Sequence, residues 1–369
     1  MFDAWKEHPV HYFRMLSGIG NNTPEFDTYY SQMHYWAKKN DIGTYNDAHT
    51  VIRFNAFLHL FSFGYYTMHM VCMCFLSLIG FTAIYKAFVP FFEHKKKELF
   101  FAVFLLPSVL FWGSGVLKEG LLFFTLGILI YFFQSPFSWK SFSICVAAAL
   151  MMAVSKFYVW LAILPGLFFL LVIKITGGRM ILLKFTAVCI LFIVTGTNID
   201  RFSNFQNPLV TLSQKQLEFN SLARGKNTDA NNIMIPAAGS RIQIADLQPT
   251  FSSFIKNAPA ALCNVFFRPY PWELKGVLMI AAGLENLLIL LIILICITHL
   301  LPFSAIKWEY VLFCSSFVIL QFMIIGETTP VLGAIARYKV PSLPFLLIAF
   351  LLMLDKQKLK KRIPLLKKL

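Results

Sequence analysis

Residues 104–120 read Phe-Leu-Leu-Pro-Ser-Val-Leu-Phe-Trp-Gly-Ser-Gly-Val-Leu-Lys-Glu-Gly. One apolar segment runs into this stretch and a second, Leu121 to Phe133, follows it, so two membrane crossings meet at Lys118-Glu119. A charge at the centre of a bilayer helix costs roughly 2.5–3.5 kcal/mol on insertion scales, so the pair belongs at a surface or in a polar cavity. It is either a tight interfacial turn, with Lys118 reaching water and Glu119 starting the next helix, or the rim of a cavity that faces an anionic head group.

The composition predicts an all-α, polytopic integral membrane protein. Apolar residues make up 57% of the 369 residues and charged residues only 14%, and the mean hydropathy is +0.65. A soluble domain of this size carries about 25% charged residues. The net charge of +15 comes from basic residues at segment ends and in the tail. These residues indicate membrane orientation and contact with anionic lipid, and they do not suggest nucleic acid.

The cysteines and the N-terminal residues show no sign of a disulfide framework, a zinc site or a signal peptide. Six of the seven cysteines lie within apolar runs, and no Cys/His spacing resembles a zinc site, so neither a disulfide framework nor a zinc site is predicted. No basic stretch followed by an apolar stretch opens the chain, so no signal peptide is visible.

The apolar runs predict about nine membrane crossings. They cover residues 68–89, 99–115, 120–134, 141–156, 158–174, 182–199, 276–300, 310–328 and 341–354. Several are shorter than the roughly 20 residues that span a bilayer straight. Lys156 and Tyr158 interrupt the run from 141 to 174, which is either a helical hairpin with its turn at Lys156 or one tilted helix. The choice decides the topology of everything that follows.

Basic residues favour one orientation. They occupy the short connections and the tail: 94–97, Lys140, Lys174, Arg179, Lys184, Lys307 and 356–368. If these are cytoplasmic, the hairpin is required, the C-terminus is inside and the N-terminus is outside. We then expect an outer polar segment (1–54), transmembrane helices (55–199), an outer loop with short helices (200–275), further transmembrane helices (276–355) and a basic cytoplasmic tail (356–369).

Export of residues 1–54 ahead of the first crossing has two explanations. Either an original first crossing lay upstream of Met1, or the segment 68–89 drives export of the N-terminus by itself. The chain shows no internal repeat, which lowers the expectation of a transporter built from inverted repeats.

The N-terminal outer segment contains the first candidate site residues. Glu25 and Asp27 lie beside tyrosines, where a carboxylate can be tuned to accept a proton from a hydroxyl, although a solvated acidic turn has the same pattern. Asp47, His49 and Arg53 suit the binding of sugar hydroxyls or phosphate. They equally suit a self-satisfied hydrogen-bond network at a helix start.

Further candidates surround the later crossings. Arg268 lies among aromatic residues and prolines, where it can grip phosphate or belong to an interfacial aromatic belt. Glu285 lies well inside an apolar segment, where an ionisable residue is a functional candidate. Arg337 and Lys339 bracket a tyrosine just before the last crossing, placed either for a lipid phosphate or as membrane anchors.

Several of these motifs resemble those of the GT-C glycosyltransferase superfamily. The similar stretches are 106–119, Ser155-Lys-Phe-Tyr-Val-Trp160, Phe267-Arg-Pro-Tyr-Pro-Trp-Glu273 with Glu285-Asn286, and Arg337-Tyr-Lys-Val-Pro-Ser-Leu-Pro344. More closely, they resemble bacterial members of surface-polysaccharide assembly, related to protein mannosyltransferases and aminoarabinose transferases. The resemblance covers most of residues 50–355.

The resemblance implies a transferase in the bacterial inner membrane. It implies a polyprenyl-phosphate sugar donor and a glycan, lipid or protein acceptor at the outer face. It also implies a catalytic carboxylate in the first outer loop, for which Asp27 is the best match and Glu25 and Asp47 are rivals. The donor phosphate would be held by cations, namely Lys118, Lys156, Arg268, Arg337 and Lys339. His49, Arg53, Glu119 and Glu285 would be further polar residues of the cavity.

Two other functions stay open. One is a polysaccharide polymerase or ligase that relies on Arg and His without an essential carboxylate. The other is a non-enzymatic carrier or scaffold for a lipid-linked glycan. A divalent metal ion could help to stabilise the leaving phosphate, but the sequence contains no ligand set that specifies one.

Overall fold

A computed structural model describes residues 2–33, 36, 48–202, 207–225 and 237–362, and their regular secondary structure is helical, with two isolated β-bridges. The α-helices are α1 (Phe2–Glu7), α2 (Pro9–Ser17), α3 (Asp27–Ser31), α4 (Ala48–Ser62), α5 (Tyr66–Phe88), α6 (Lys96–Phe104), α7 (Pro107–Gly113), α8 (Lys118–Gln134), α9 (Trp139–Ser155), α10 (Phe157–Thr176), α11 (Ile181–Phe202), α12 (Pro208–Ala223), α13 (Phe251–Phe267), α14 (Val277–Thr298), α15 (Trp308–Thr328), α16 (Leu332–Tyr338), α17 (Leu343–Met353) and α18 (Lys356–Arg362). Short 3-10 helices cover Pro24–Phe26, Val89–Phe91, Pro271–Glu273, Phe303–Ala305 and Val340–Ser342.

The protein is a multi-pass membrane protein by the length and composition of its helices. Among the described residues, six segments are long and apolar enough to cross a membrane: Tyr66–Phe91, Phe157–Thr176, Ile181–Arg201, Val277–Thr298, Trp308–Thr328 and Leu332–Met353. A seventh is added if α7 and α8, bent by 111° at their junction, count as one span. Helix length and composition therefore do not confirm the expected count of about nine. The run 99–115 is divided into α6 and α7 at Pro107, and α8 and α9 have 17 residues each, fewer than a straight crossing needs.

Glycines bring α5 and α8 together side by side. Gly120 lies beside Met73, and Gly127 lies against the backbone of Gly80 seven residues further along each helix, so the two helices run parallel. A Cβ atom at Gly80 or Gly127 would collide with the backbone of the other helix. Small residues are what permit such close approach between membrane helices.

The chain turns back at Lys156. The Nζ atom of Lys174, near the end of α10, donates to the carbonyls of Phe133 at 3.3 Å and Ser135 at 2.9 Å. The end of α10 therefore lies beside the connection that precedes α9, and α9 and α10 form a hairpin. This is the arrangement that the basic connections favour, and a single tilted helix is not present.

Basic connections collect at one end of the helices, which we call the basic end. Lys86 of α5 and Tyr131 of α8 line one groove, so these parallel helices finish together, beside the connection held by Lys174. At the same end Lys95 donates to the carbonyl of Leu351 at 2.6 Å. Lys358 of α18 donates to the carbonyl of Leu300, after α14, at 2.8 Å.

Two hydrophobic clusters hold the described residues together. The main one is centred on α15 and α17, where the rings of Phe317 and Phe345 pack edge to face at 5.2 Å. The smaller one joins α1–α4 around Tyr12, whose hydroxyl donates to the Ala56 carbonyl at 2.5 Å. Burial raises the pKa of Tyr12, so this phenol remains the donor at neutral pH.

We expect Gly127→Leu to destabilise the protein because the new side chain would meet the backbone of α5. Overpacking in a close contact costs about 1–3 kcal/mol or more. The measurement is the fraction of detergent-purified protein that stays monodisperse after heating. Gly196→Leu is the matched control, because a Cβ atom at Gly196 in α11 meets no atom within 4 Å. Equal heat resistance of the two variants would contradict the α5–α8 contact.

Candidate functional site

An ion pair joins the start of α8 to the end of α16. Arg337 donates from Nε and Nη2 to the two carboxylate oxygens of Glu119, both at 2.8 Å. Glu119 is only 1% exposed, whereas a quarter of the Arg337 side chain (26%) remains exposed. The guanidinium also lies 5.0 Å from the ring centroid of Trp112. A two-bond contact of this kind is among the strongest that side chains make, so it fixes the turn between α7 and α8 against α16.

Lys156 lies at the single-residue break between α9 and α10. Its backbone is extended there, with φ of −153° and ψ of 82°, which ends one helix and starts the next. The buried ammonium lies 4.4 Å from the ring centroid of Tyr338, and its Nζ donates to the Tyr158 hydroxyl at 3.3 Å. It is also within electrostatic range of Glu119. A lysine charge held by two aromatic faces is stabilised without a carboxylate of its own.

Lys339 is a second buried lysine of the site. Its Nζ donates to the Asn286 side chain at 3.0 Å and to the Val265 carbonyl at 3.2 Å. The neighbouring Glu285 accepts from the backbone of Ser108 at 3.1 Å and from its hydroxyl at 2.8 Å. These bonds connect α7, α13 and α14 to the turn after α16.

Together these five residues form what we call the charged cluster: Glu119, Lys156, Glu285, Arg337 and Lys339. With all five ionised, three cations face two carboxylates, which leaves one positive charge. Burying a charge that has no partner of opposite sign costs free energy of folding. The guanidinium of Arg337 uses two of its five donors on Glu119. The cluster is therefore suited chemically to one further anion, and Arg337 is the member exposed enough to receive it.

Both polar segments of the chain contact this end of the helices. Buried Gln216 of α12 donates to the carbonyls of Ala245 at 2.8 Å and Glu327 at 2.6 Å. From the N-terminal side, Thr50 of α4 donates to the carbonyl of Val154 at 2.8 Å, two residues before Lys156. Helix α12 and the start of α4 therefore lie at the same end of the helices as the charged cluster.

Arg268 belongs to a separate arrangement. It pairs with Glu273 at 3.2 Å, and its guanidinium lies 5.3 Å from the ring centroid of Tyr270. Glu273 also accepts from the backbone N–H of Tyr270 at 2.9 Å. The pair closes its own turn at the end of α13. Lys118 begins α8 beside Glu119 and is half-buried.

Two of the three predicted carboxylates of the N-terminal segment, Glu25 and Asp27, lie at its surface. Asp27 begins α3 and is exposed. Glu25 accepts from the Thr23 hydroxyl at 2.8 Å and lies 3.6 Å from Arg14 and 3.7 Å from His11. Within the described residues, no hydrogen bond or ion pair joins either carboxylate to the charged cluster.

His49 and Arg53 form the self-satisfied network that was one of the two expectations for them. The ring of His49 stacks on Trp36 at 3.9 Å and bonds to the Trp36 carbonyl at 2.8 Å. Arg53 donates to the Met15 carbonyl at 3.1 Å and lies over the same indole. The third candidate of this stretch, Asp47, lies outside the described residues.

Glu327 is a candidate that the sequence reasoning missed. It lies in the last turn of α15 and is 3% exposed, and neither of its carboxylate oxygens has a hydrogen-bond partner among the described residues. Buried polar groups almost always have partners, so such an exception indicates a functional role or an unplaced partner. The available signal was an ionisable residue at the end of an apolar run, three residues before Pro330.

Neither a metal-binding group among the described residues nor a match to a known protein helps to interpret this site. In the part of the chain that the structure describes, no group of three or more His, Cys, Asp or Glu side chains is placed to hold a metal ion. No protein-family model, curated protein or solved structure matches the chain. The site must be interpreted from its own chemistry.

We expect Arg337→Gln to destabilise the protein more than Glu119→Gln does. The first change leaves a carboxylate that is 1% exposed without its main partner, and breaking a buried pair in this way costs about 3–5 kcal/mol. The second leaves a guanidinium that is partly exposed and stacked on Trp112. The measurement is thermal unfolding in detergent. The double variant should be more stable than Arg337→Gln alone, and additive losses would contradict a direct pair.

Proposed function

We propose that the protein is an integral-membrane glycosyltransferase of GT-C type. It would move a sugar from a polyprenyl-phosphate donor to a glycan, lipid or protein acceptor. The observation that carries the proposal is the charged cluster, in which three basic side chains face two carboxylates, so one positive charge is in excess when all five are ionised. A phosphodiester has one negative charge and would neutralise it.

Each step of the transfer has candidate residues. The acceptor hydroxyl oxygen attacks the anomeric carbon, the bond from that carbon to the phosphate oxygen breaks, and the phosphate leaves with the electron pair. Arg337 and Lys156 would stabilise the charge that develops on the phosphate. Asp27 would take the proton from the hydroxyl. Glu327 is a rival for this role because its buried carboxylate has no bond among the described residues.

We further propose nine crossings, with the N-terminus outside and the C-terminus in the cytoplasm of a bacterium. The six long spans would be joined by α6 with α7, by α8 and by α9. Two observations support this count. Helices α5 and α8 are parallel, so α6 with α7 must return the chain to the end at which α5 began. Helices α9 and α10 form a hairpin, so each of them runs from one end of the helices to the other. The basic end would face the cytoplasm, as positive connections generally do.

One observation favours a carrier or scaffold as the second candidate function. Glu119 and Glu285 are both committed to bonds within the protein. Among the described carboxylates of the cluster, none is left to act as a base. A protein that binds a lipid phosphate at Arg337 without transferring the sugar would need no such base.

Accessibility labelling tests the proposed orientation. Single cysteines are introduced at Ser31, Lys140 and Ser240 after exposed Cys263 is changed to Ser. We expect an impermeant thiol reagent to label positions 31 and 240 on intact cells and position 140 only after lysis. Labelling of 140 from outside would reverse the orientation.

Donor affinity and turnover of purified variants test the proposed transfer, with a synthetic polyprenyl-phosphate sugar as donor. We expect Asp27→Asn to abolish transfer with donor affinity retained, because it removes a proton acceptor and keeps the shape. We expect Lys156→Gln to weaken donor affinity roughly ten- to a hundredfold, since it removes a charge-assisted contact. Arg268→Gln loses the same charge but should weaken affinity less, because Glu273 already holds that guanidinium.

The outcomes separate the alternatives. Transfer lost in Glu327→Gln and retained in Asp27→Asn would assign the base to Glu327. Transfer retained in both, but lost in Lys156→Gln, would favour a polymerase or ligase without an essential carboxylate. Donor binding without turnover in the unmodified chain would favour the carrier.

A further inference from the structure

A cavity of about 970 Å³ opens at the basic end, far from the charged cluster. Three parts of the chain enclose it: the connection between α5 and α6, the connection between α14 and α15, and the junction of α17 with α18. It is lined by apolar residues of the helix ends, which we call the apolar wall, and by charged residues. No role for this cavity follows from the proposed transfer.

Main-chain hydrogen bonds fix the frame of the cavity. The Leu301 N–H donates to the Met353 carbonyl at 2.8 Å, and the Asp355 N–H donates to the His299 carbonyl at 2.7 Å. Lys95 then caps the end of α17 by donating to the Leu354 carbonyl at 3.0 Å, in addition to its bond with Leu351. The two connections are thus tied to the α17–α18 junction, and the cavity is a preformed feature of the fold.

Some charged side chains around the cavity are bonded within the protein, and others are not. Asp355 accepts from the backbone N–H groups of Gln357 at 3.0 Å and Lys358 at 3.1 Å, so it is satisfied as the cap of α18. Lys356 is paired with Glu98 at 2.6 Å.

Two other lysines of the cavity have no such partner. Lys307 and Lys360 line it, and neither side chain makes a hydrogen bond or ion pair with any described residue. Exposed Glu93 and His94 complete the polar side. With Lys356 paired to Glu98, the lining retains three ammonium groups (Lys95, Lys307 and Lys360) and two carboxylates (Glu93 and Asp355), which leaves one positive charge in excess.

The apolar wall suits a hydrocarbon chain. Phe91, Leu301 and Leu352 belong to it, and Phe91 is held in place by the ring of Tyr310 at 4.0 Å. These residues end or flank segments that are long and apolar enough to cross a membrane, so the wall lies at the ends of those segments. A freely soluble anion would use the ammonium groups but would gain nothing from this wall.

We propose that the cavity at the basic end binds an anionic phospholipid, with the head-group phosphate between Lys307 and Lys360 and the start of an acyl chain along Phe91 and Leu301. Ammonium groups near a membrane surface attract anionic lipid with about 1 kcal/mol for each lysine. The proposal is independent of the proposed transfer, because it uses none of the residues of the charged cluster.

Lipid binding to the full chain in phosphatidylcholine nanodiscs tests the proposal, with phosphatidylglycerol titrated in and bound lipid counted by native mass spectrometry. We expect Lys307→Gln with Lys360→Gln to weaken phosphatidylglycerol binding by roughly ten- to thirtyfold. Lys140→Gln with Arg179→Gln is the matched control: it removes two exposed charges near the basic end, outside the cavity. Ala305→Trp fills the cavity without changing its charge and should also weaken binding.

Three results would overturn the proposal. Equal weakening in the cavity variant and the control would indicate attraction to the general positive surface. Full binding in Ala305→Trp would place the lipid elsewhere. Displacement of phosphatidylglycerol by equal concentrations of inorganic phosphate or glycerol 3-phosphate would identify the ligand as a free phosphate. Thermal unfolding in phosphatidylcholine alone checks that all variants are folded.

Discussion

The ion pair between Glu119 and Arg337 is the contact on which the arrangement of the helices depends. A carboxylate that is 1% exposed between apolar helices is costly to keep ionised without a partner, and here a cation is bonded to it. The cation comes from a residue 218 positions away, so the pair fixes the turn before α8 against the turn before α17. Lys156 joins them through the ring of Tyr338, next in the chain after Arg337. These contacts hold the α7–α8 turn, the α9–α10 break and the α16–α17 turn next to one another.

The breaks in the membrane helices and the buried polar side chains depend on each other: the side chains cover exposed backbone groups at the breaks, and the breaks make room for the side chains. A break in a membrane helix leaves backbone groups without partners, and it is tolerated only where protein covers it. The break after α7 is covered in this way, because the Ser77 hydroxyl donates to the carbonyl of Gly113 at 2.6 Å. The same breaks give Lys156 and Glu119 room to point inward. The polar interior is therefore a product of short helices, and the residues proposed to bind phosphate are also those that hold the fold.

Sequence patterns predicted the local features and missed the long-range ones. The apolar runs indicated the class of protein, and the residues around Lys156 indicated the turn between α9 and α10. The predicted nine spans are not confirmed by helix length and composition, because Pro107 divides one run and because α8 and α9 are short. Glu119 and Arg337 were both candidates, but no periodicity connects residues so far apart. Glu327 was missed because an unpaired carboxylate is recognised only when its surroundings are known.

The two ends of the helices use charge in opposite ways. In the charged cluster, cations and carboxylates are buried and bonded to one another, so an anion that binds there must compete with bonds already made. At the basic end, Lys307 and Lys360 remain free of such bonds among the described residues, so binding there meets no competition beyond that of water and salt. The first arrangement favours selectivity for one ligand geometry. The second favours binding of anionic amphiphiles from the membrane with little selectivity and with an affinity that falls as the salt concentration rises.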